Sequence, residues 1–374
     1  MLQRTLKNGA EASVLGFGTM RLPVDENKAI MQERVQAMTD MAFEGGVNYF
    51  DTAYPYHDEK SEAAIGEALK KYDRESFMLA DKLPVWLVEK EEDLETLFNT
   101  QLERTGAGYF DVYLLHALDK GRWDHVEKFK MFEFCQKKKE EGKIKRIGFS
   151  FHDDYKVLET IAKAKPWDIA QIQLNYLDKT LQHAEKQYEI LVNEGIDVVV
   201  MEPIRGGFLA NLPAEAHNSL AAARPDWTDA QWALRWVADH PGVKVILSGM
   251  SSEEQMAQNI ATFEDDVEFT EADYAAVEGA LDALNRMGAV PCTGCRYCMD
   301  CPFGVDIPRI FAIYNDYKRT GNGWVAKTNY LKDTPAENRA DNCVQCGACM
   351  EQCPQHIQIP DKLAEIHAEI LAIE

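Results

Sequence analysis

The sequence lacks long apolar runs. No stretch of the 374 residues approaches membrane-spanning length, and the opening MLQRTLKNGAEASVLGFG contains no apolar run as long as that of a signal peptide. We therefore expect no membrane contact and no secretion signal. Low-complexity linkers and internal repeats are missing too, and the hydrophobic fraction of 46% excludes disorder by composition. A chain of this size is expected to form one large domain and one small one.

Basic residues are few, since 40 Lys and Arg stand against 62 Asp and Glu and give a formal net charge of -22. Nucleic acids and anionic membrane surfaces are bound through basic surfaces, so we expect neither as a partner. An acidic protein instead suits the docking of a basic redox partner protein.

Cysteine is scarce before residue 292, where only Cys135 occurs. The other eight cysteines form two groups, Cys292, Cys295, Cys298 and Cys301, and then Cys343, Cys346, Cys349 and Cys353. Disulfide frameworks are typical of small secreted proteins rather than of a long acidic chain. Zinc is an alternative, because paired C-x2-C units also suit a tetrahedral ion. Four close thiols followed by Pro in each group favour two 4Fe-4S clusters, and hence single-electron chemistry.

The second group, CVQCGACMEQCP, has the spacing of bacterial ferredoxins, whose fourth cysteine binds the other cluster. The first group, CTGCRYCMDCP, is one residue shorter before its last cysteine, which leaves the pairing open. The expected ligand sets are Cys292, Cys295 and Cys298 with Cys353, and Cys343, Cys346 and Cys349 with Cys301. Because thiolates must stay reduced for cluster assembly, we expect the protein in the cytoplasm.

Between residues 14 and 263, short apolar runs alternate with amphipathic stretches, which indicates repeated βα units. The strand candidates begin at residues 14, 47, 77, 111, 145, 169, 197 and 243. Eight such units predict an α/β fold of the (β/α)8 TIM barrel type rather than an open sheet. We expect the barrel in residues 1–285 and an iron-sulfur domain in residues 286–374, with a connecting helix from Glu271 to Asn285. The helical segment between the cysteine groups resembles α-helical ferredoxin domains.

Three segments near predicted strand ends, NYFDTAYPYHDEKSEAAIGEAL, LADKL and DVYLLH, resemble the signature of the aldo-keto reductases. The resemblance covers about residues 1 to 265. It implies a catalytic tetrad of Asp51, Tyr56, Lys82 and His116. The chemistry of these side chains agrees, because a carbonyl that accepts hydride needs a proton donor beside its oxygen. A free phenol titrates near ~10, so we expect the Lys82 ammonium, held by Asp51, to lower the pKa of Tyr56, and His116 to orient the carbonyl.

Aldo-keto reductases hold NADPH over the barrel mouth, so the resemblance also implies a nicotinamide site. Its Asn after strand five is replaced by Phe151, and Met201 takes the place of a ring-stacking tyrosine. The Lys and Arg that flank the 2′-phosphate in many members are missing, so NADP(H) and NAD(H) both stay open. The expected cofactor-binding residues are Ser150, Gln171, Met201, Arg205, Gly206, Gly207, Ser248, Gly249, Gln255 and Asn259.

The segment Arg205-Gly206-Gly207 allows two interpretations. Its backbone amides suit a pyrophosphate or a flavin phosphate, or the glycines form only a tight turn. A nicotinamide transfers two electrons at once, whereas a 4Fe-4S cluster passes one. Either the clusters are structural or serve a separate partner, or the barrel mouth holds a flavin that converts between the two modes.

We therefore predict an iron-sulfur oxidoreductase that reduces a small carbonyl or oxidises an alcohol, with Tyr56 as general acid or base and two clusters that relay single electrons. The alternative is an electron-transfer protein whose barrel docks a redox partner and reduces no carbonyl. A third and weaker interpretation is a reductase whose C-terminal cysteines bind structural zinc.

Overall fold

A computed structural model describes residues 1–7, 9–181, 183–299 and 301–373. The chain divides into two compact units, Met1–Pro203 with Ala233–Glu268, and Ile204–Trp232 with the chain from Phe269 onward. In the described ranges, no helix combines the length and the apolar character that a membrane crossing requires.

Eight parallel strands of the first unit close into a barrel, which confirms the predicted (β/α)8 fold. After an antiparallel pair, β1 (Gln3–Thr5) and β2 (Glu11–Ser13), the barrel strands are β3 (Leu15–Gly18), β4 (Tyr49–Asp51), β5 (Met78–Leu83), β6 (Phe110–Leu118), β7 (Ile144–Phe151), β8 (Ile169–Gln173), β9 (Asp197–Met201) and β10 (Val243–Ser248). Each strand pairs with its sequence neighbour, and β10 closes the ring on β3. All six residues of β5 are buried, as expected of a parallel sheet covered on both faces.

Helices follow the barrel strands along the chain. They are α1 (Gln32–Glu44), α2 (Ser61–Leu69), α3 (Glu91–Thr105), α4 (Lys120–Lys128), α5 (Met131–Glu140), α6 (Tyr155–Ala164), α7 (Asp178–Leu181), α8 (Ala184–Asn193), α9 (Ala214–Ala223), α10 (Asp229–Ala238) and α11 (Glu253–Thr262). Helix α1 buries Val35, Met38 and Ala42, which recur at helical spacing and so form one apolar face. Cys135 lies fully buried on α5.

The second unit contains α9 and the remaining helices α12 (Glu271–Met287), α13 (Ile307–Thr320), α14 (Gly323–Leu331), α15 (Ala348–Glu351) and α16 (Ile359–Leu371). Arg224 joins the end of α9 to the start of α12 through paired hydrogen bonds to the carboxylate of Asp273, at 2.7 and 2.6 Å. These bonds hold the pKa of Asp273 at about 2. Ile310, Tyr314 and Ile366 form part of the buried core between α13 and α16.

The expected connecting helix is α12, which ends at Met287 rather than at Asn285. This helix and residues 204–232 belong to the same compact unit as the cysteine-bearing segment. The sequence boundary between residues 285 and 286 stays a prediction.

Candidate active site and cysteine sets

Adjacent strands bring Asp51, Lys82 and Tyr56 together in the first unit. Asp51 is the last residue of β4, and Lys82 lies near the end of β5, the next strand. The Lys82 Nζ atom donates to Asp51 Oδ1 and to the Thr52 carbonyl oxygen, both at 2.7 Å, and lies 3.4 Å from the Tyr56 hydroxyl oxygen. Lys82 is fully buried and Asp51 is 3% exposed. The ammonium and carboxylate therefore form a buried pair beside the phenol.

The turn after Tyr56 has an unusual backbone. His57, Asp58 and Glu59 have φ of 53°, 52° and 65°, in the left-handed region that non-glycine residues rarely adopt. The turn is fixed at both ends, because His57 Nε2 accepts a hydrogen bond from Leu22 N at 3.1 Å and Glu59 pairs with Arg104 at 2.6 Å. These two contacts hold the strained backbone in place, and they therefore fix the loop that carries Tyr56.

The pKa of Tyr56 departs from the expectation. Burial raises it well above the ordinary value, and the charges of Asp51 and Glu202 add to the effect. The expected lowering by Lys82 is therefore wrong for this state, because burial has the largest effect on the Tyr56 pKa and the Asp51 charge acts in the same direction. Burial likewise raises the pKa of Asp51, against the charge and hydrogen bond of Lys82. A neutral phenol is the protonation state that a general acid needs.

His116, on β6, faces Tyr56 edge-on, with ring centroids 6.1 Å apart. Burial, followed by the charge of Lys82, lowers its pKa well below the ordinary value, so the imidazole is neutral. Its buried Nδ1 atom has no hydrogen-bond partner among the residues that the structure describes. Trp86 lies 5.2 Å from the His116 ring, and the Arg122 guanidinium lies over Trp86 at 5.3 Å. Trp86 thus lies beside the histidine ring, and the Arg122 guanidinium lies over Trp86.

The residues expected to bind the nicotinamide amide have mixed surroundings. Ser150 Oγ accepts a hydrogen bond from Ala117 N at 2.6 Å, so it also supports the strand end after His116. Gln171 Nε2 contacts the Met201 sulfur at 3.6 Å. Within the described ranges, the buried Gln171 Oε1 lacks a partner, and a carboxamide N–H would satisfy it. The pair Gln171 and Met201 therefore fits a nicotinamide.

At the start of α11, the expected phosphate-site residues are engaged in local bonds. Gln255 Oε1 accepts from Ser251 N at 2.8 Å, and buried Asn259 donates to Ser248 Oγ at 2.9 Å. Gly249 lies against the side chain of Arg21. The first turn carries Glu253 and Glu254, which add negative charge where a 2′-phosphate was expected.

Arg205, Gly206 and Gly207 belong to the second unit, whereas the other expected cofactor-binding residues belong to the first. Arg205 is 2% exposed. Gly206 lies against the backbone of Thr293, next to the first cysteine. This close approach accounts for a glycine at position 206 without a phosphate.

The cysteines gather in two sets within the second unit. Burial and nearby thiols raise the pKa of Cys298 to about 12, and those thiols belong to Cys295, Cys292 and Cys353. Burial and nearby thiols also raise the pKa of Cys349, and those thiols belong to Cys343, Cys301 and Cys346. Cys298 thus lies near Cys353, and Cys349 lies near Cys301, as the crossed pairing expects, and the two ligand sets stay a prediction.

The donor sets suit a cluster larger than one ion. Within the part of the chain that the structure describes, no three His, Cys, Asp or Glu side chains converge on a site for a single metal ion. Each set combines a C-x2-C-x2-C run with a fourth cysteine from the other group, and such a set of four thiols suits the four iron corners of a cubane. Cys346 of the second set is exposed, whereas the first set is partly buried throughout.

Sequence reasoning missed several neighbours of the tetrad. Thr52 supplies a carbonyl oxygen to Lys82, and Trp86 and Arg122 adjoin His116. Arg21 and Glu202, whose charges reach Tyr56, lie 3.9 Å apart. Glu202 directly follows the strand-end residue Met201, and Trp86 lies in the loop four positions after Lys82, so the residues of those loops were the available signal for both.

The sequence profile of the Aldo/keto reductase family matches residues 14–282. The chain belongs to this family. A 4Fe-4S dicluster domain profile matches residues 291–358. The chain is therefore an aldo/keto reductase-type oxidoreductase with a C-terminal 4Fe-4S domain.

Curated relatives are similar over the barrel. A protein named probable aldo-keto reductase 1 from Glycine max is 27% identical over 288 residues, which are 67% of this chain and 81% of that protein. The NADH-specific methylglyoxal reductase of Escherichia coli is 26% identical over 289 residues, 64% of this chain and 85% of that protein.

Solved structures share the barrel fold. An aldo-keto reductase from Bacillus halodurans in its holo form has a TM-score of 0.61 and 24% identity, over 75% of this chain and 96% of that one. A Klebsiella pneumoniae aldo-keto reductase in complex with NADPH has a TM-score of 0.62 and 22% identity, over 76% of this chain and 95% of that one.

Proposed function

We propose that the barrel reduces a small carbonyl compound, or oxidises the corresponding alcohol, with Asp51, Tyr56, Lys82 and His116 as its catalytic residues. The observation that carries the proposal is the buried Lys82–Asp51 pair, with the Lys82 ammonium 3.4 Å from the Tyr56 hydroxyl. The methylglyoxal reductase among the relatives makes a short aldehyde a suitable first substrate.

The proton step follows from the charges around Tyr56. A bound nicotinamide would supply the hydride for the carbonyl carbon. Tyr56, neutral because its pKa is raised, gives its proton to the carbonyl oxygen as negative charge develops there. Lys82 stabilises the phenolate that remains, and neutral His116 orients the carbonyl by hydrogen bonding.

Gln171 and Met201 would hold the nicotinamide, and NADH suits this chain at least as well as NADPH. The carboxylates of Glu253 and Glu254 repel a 2′-phosphate at the start of α11, and Arg34 is already paired with Glu253. The NADH-specific relative agrees, whereas the Klebsiella neighbour binds NADPH.

We assign one 4Fe-4S cluster to each cysteine set, with Cys353 and Cys301 crossing between the groups. When bound, the clusters supply single-electron transfer. A basic redox partner suits the net charge of -22. The cytoplasm, where thiolates stay reduced, remains the proposed location.

A flavin is a separate part of the proposal, since it would link two-electron and one-electron steps. The Gly206 contact with Thr293 weakens the argument for a flavin phosphate at that turn. The visible spectrum of an acid extract from anaerobically purified protein decides the matter. A released flavin chromophore supports the link, and its absence removes flavin from the scheme.

The proposed activity is tested with anaerobically purified, cluster-loaded protein, short aldehydes, and NADH or NADPH. We expect alcohol formation that matches the nicotinamide consumed. Absence of alcohol with both cofactors across neutral and charged aldehydes would overturn the proposal.

That negative result would favour the electron-transfer alternative, which rests on a different observation. Cys346 is exposed, and Phe303 and Val344, which line the cavity around the second set, are 45% and 55% exposed. A cluster held there would be accessible to a redox partner.

A further inference from the structure

Two consecutive glycines in the loop after β9 have different surroundings. Gly206 and Gly207 both have left-handed backbones, with φ of 63° and 96°. A Cβ atom on Gly206 would lie 2.2 Å from the carbonyl oxygen of Thr293 and 3.0 Å from its carbonyl carbon. Among the residues that the structure describes, a Cβ atom on Gly207 would meet nothing within 4 Å. Only the first glycine is therefore required by a neighbour.

The neighbour belongs to the first cysteine turn. Thr293 follows Cys292 directly, is 4% exposed, and precedes Gly294, whose N–H points to the Cys292 sulfur at 3.4 Å. Since the clash at position 206 involves backbone on both sides, no side-chain rotation can relieve it. The gap of 2.2 Å is more than about 1 Å short of ordinary contact. An added methyl group must displace either the loop or the cysteine turn.

We propose that Gly206 is a positioning residue for the first cluster, through the contact of its loop with the Cys292–Cys295 turn. The loop Arg205–Ala210 is then a part of that cluster's binding site. The inference rests on the proposed assignment of Cys292, Cys295, Cys298 and Cys353 to one cluster. On this inference Gly206 positions a cluster ligand turn and does not bind a phosphate.

The test compares Gly206→Ala with Gly207→Ala in the full, cluster-loaded chain. Both variants place a Cβ atom on a left-handed backbone, with φ of 63° and 96°, so both carry backbone strain and only Gly206→Ala adds the clash with Thr293. We expect Gly206→Ala to shift one of the two cluster midpoint potentials and the corresponding electron paramagnetic resonance signal. Gly207→Ala should leave both potentials within replicate scatter of the wild type. Equal behaviour of the two variants would overturn the proposal.

Double-mutant cycles identify which of the two clusters Gly206→Ala affects. In a Cys295→Ala background, which removes a ligand of the first cluster, we expect Gly206→Ala to cause no further shift of the remaining potential. The same substitution in a Cys346→Ala background should shift the remaining potential as it does alone. A shift that persists without Cys295 contradicts the inference.

Hydrogen exchange gives a readout that does not require Gly206→Ala to fold. We expect Cys295→Ala to raise amide exchange in residues 205–210 several-fold, because the contact is reciprocal. Residues 323–331 of α14 serve as the internal control and should keep their protection. Unchanged exchange in 205–210 would overturn the proposal. Wild-type protein that binds no iron would instead refute the cluster assignment itself.

Discussion

The Lys82 ammonium lies 2.7 Å from the Asp51 carboxylate, and both side chains are shielded from solvent. A buried ion pair contributes little compared with an apolar pair, but removing one partner leaves an uncompensated buried charge. Loss of either partner should therefore lower the stability of the barrel and change the charge beside Tyr56.

The first prediction concerns this pair. Asp51→Asn, which keeps the side-chain shape, should lower the free energy of unfolding by about 3–5 kcal/mol. Asp51→Asn with Lys82→Met should recover part of that loss, because no charge is then stranded. Denaturant midpoints of the single and double variants test this. A double variant that loses the sum of the single losses contradicts the buried pair.

The second prediction concerns pH and His116. Its native pKa is depressed by burial, while in the unfolded chain it titrates near ~6.5. The unfolded state therefore binds more protons below about pH 6.5, and stability falls as pH drops from there toward the native pKa. His116→Gln should flatten this fall. Denaturant midpoints of both proteins between pH 8 and pH 5 measure it, and identical slopes would contradict the depressed pKa.

The third prediction concerns the crossed cysteines. Cys353→Ser should alter the same cluster signal as Cys292→Ser, and Cys301→Ser the same signal as Cys343→Ser. Fully loaded wild type should contain about eight iron atoms per chain, and each variant should retain the other cluster. Iron analysis and paramagnetic resonance test the pairing. If Cys353→Ser instead alters the signal that Cys343→Ser alters, the ligands are not crossed.

The fourth prediction concerns cofactor choice. Glu253→Gln should tighten NADPH binding roughly 2- to 5-fold, because one carboxylate leaves the helix start where we place the 2′-phosphate. NADH binding should stay unchanged. Glu264→Gln, at an exposed acid beyond the other end of α11, is the control. Fluorescence titration gives both dissociation constants, and equal changes for NADH and NADPH would refute the proposed phosphate position.

The barrel was predictable because eight apolar runs had strand length and regular spacing. The ends of β4 and β5 placed Asp51 and Lys82 side by side, since parallel neighbours end on one face of the barrel. The two cysteine sets rest on the ferredoxin pattern C-x2-C-x2-C-x3-C-P, in which the fourth cysteine binds the other cluster, and their pairing stays a prediction.

The net pKa shift of Tyr56 was not predictable from the motif. The motif indicates a cation beside the phenol, but burial and the charges of Asp51 and Glu202 decide the net direction. The role of Gly206 was hidden as well, because its neighbour Thr293 lies 87 positions along the chain. Long-range approach of two backbones leaves no local sequence pattern.

A single-turnover measurement of aldehyde reduction by wild type and Tyr56→Phe tests the central claim most directly. Both proteins should bind the nicotinamide with equal affinity and carry equal iron. We predict that the phenylalanine variant reduces the aldehyde about 10²- to 10⁴-fold more slowly, since it lacks the proton donor. Equal rates in the two proteins would contradict the account.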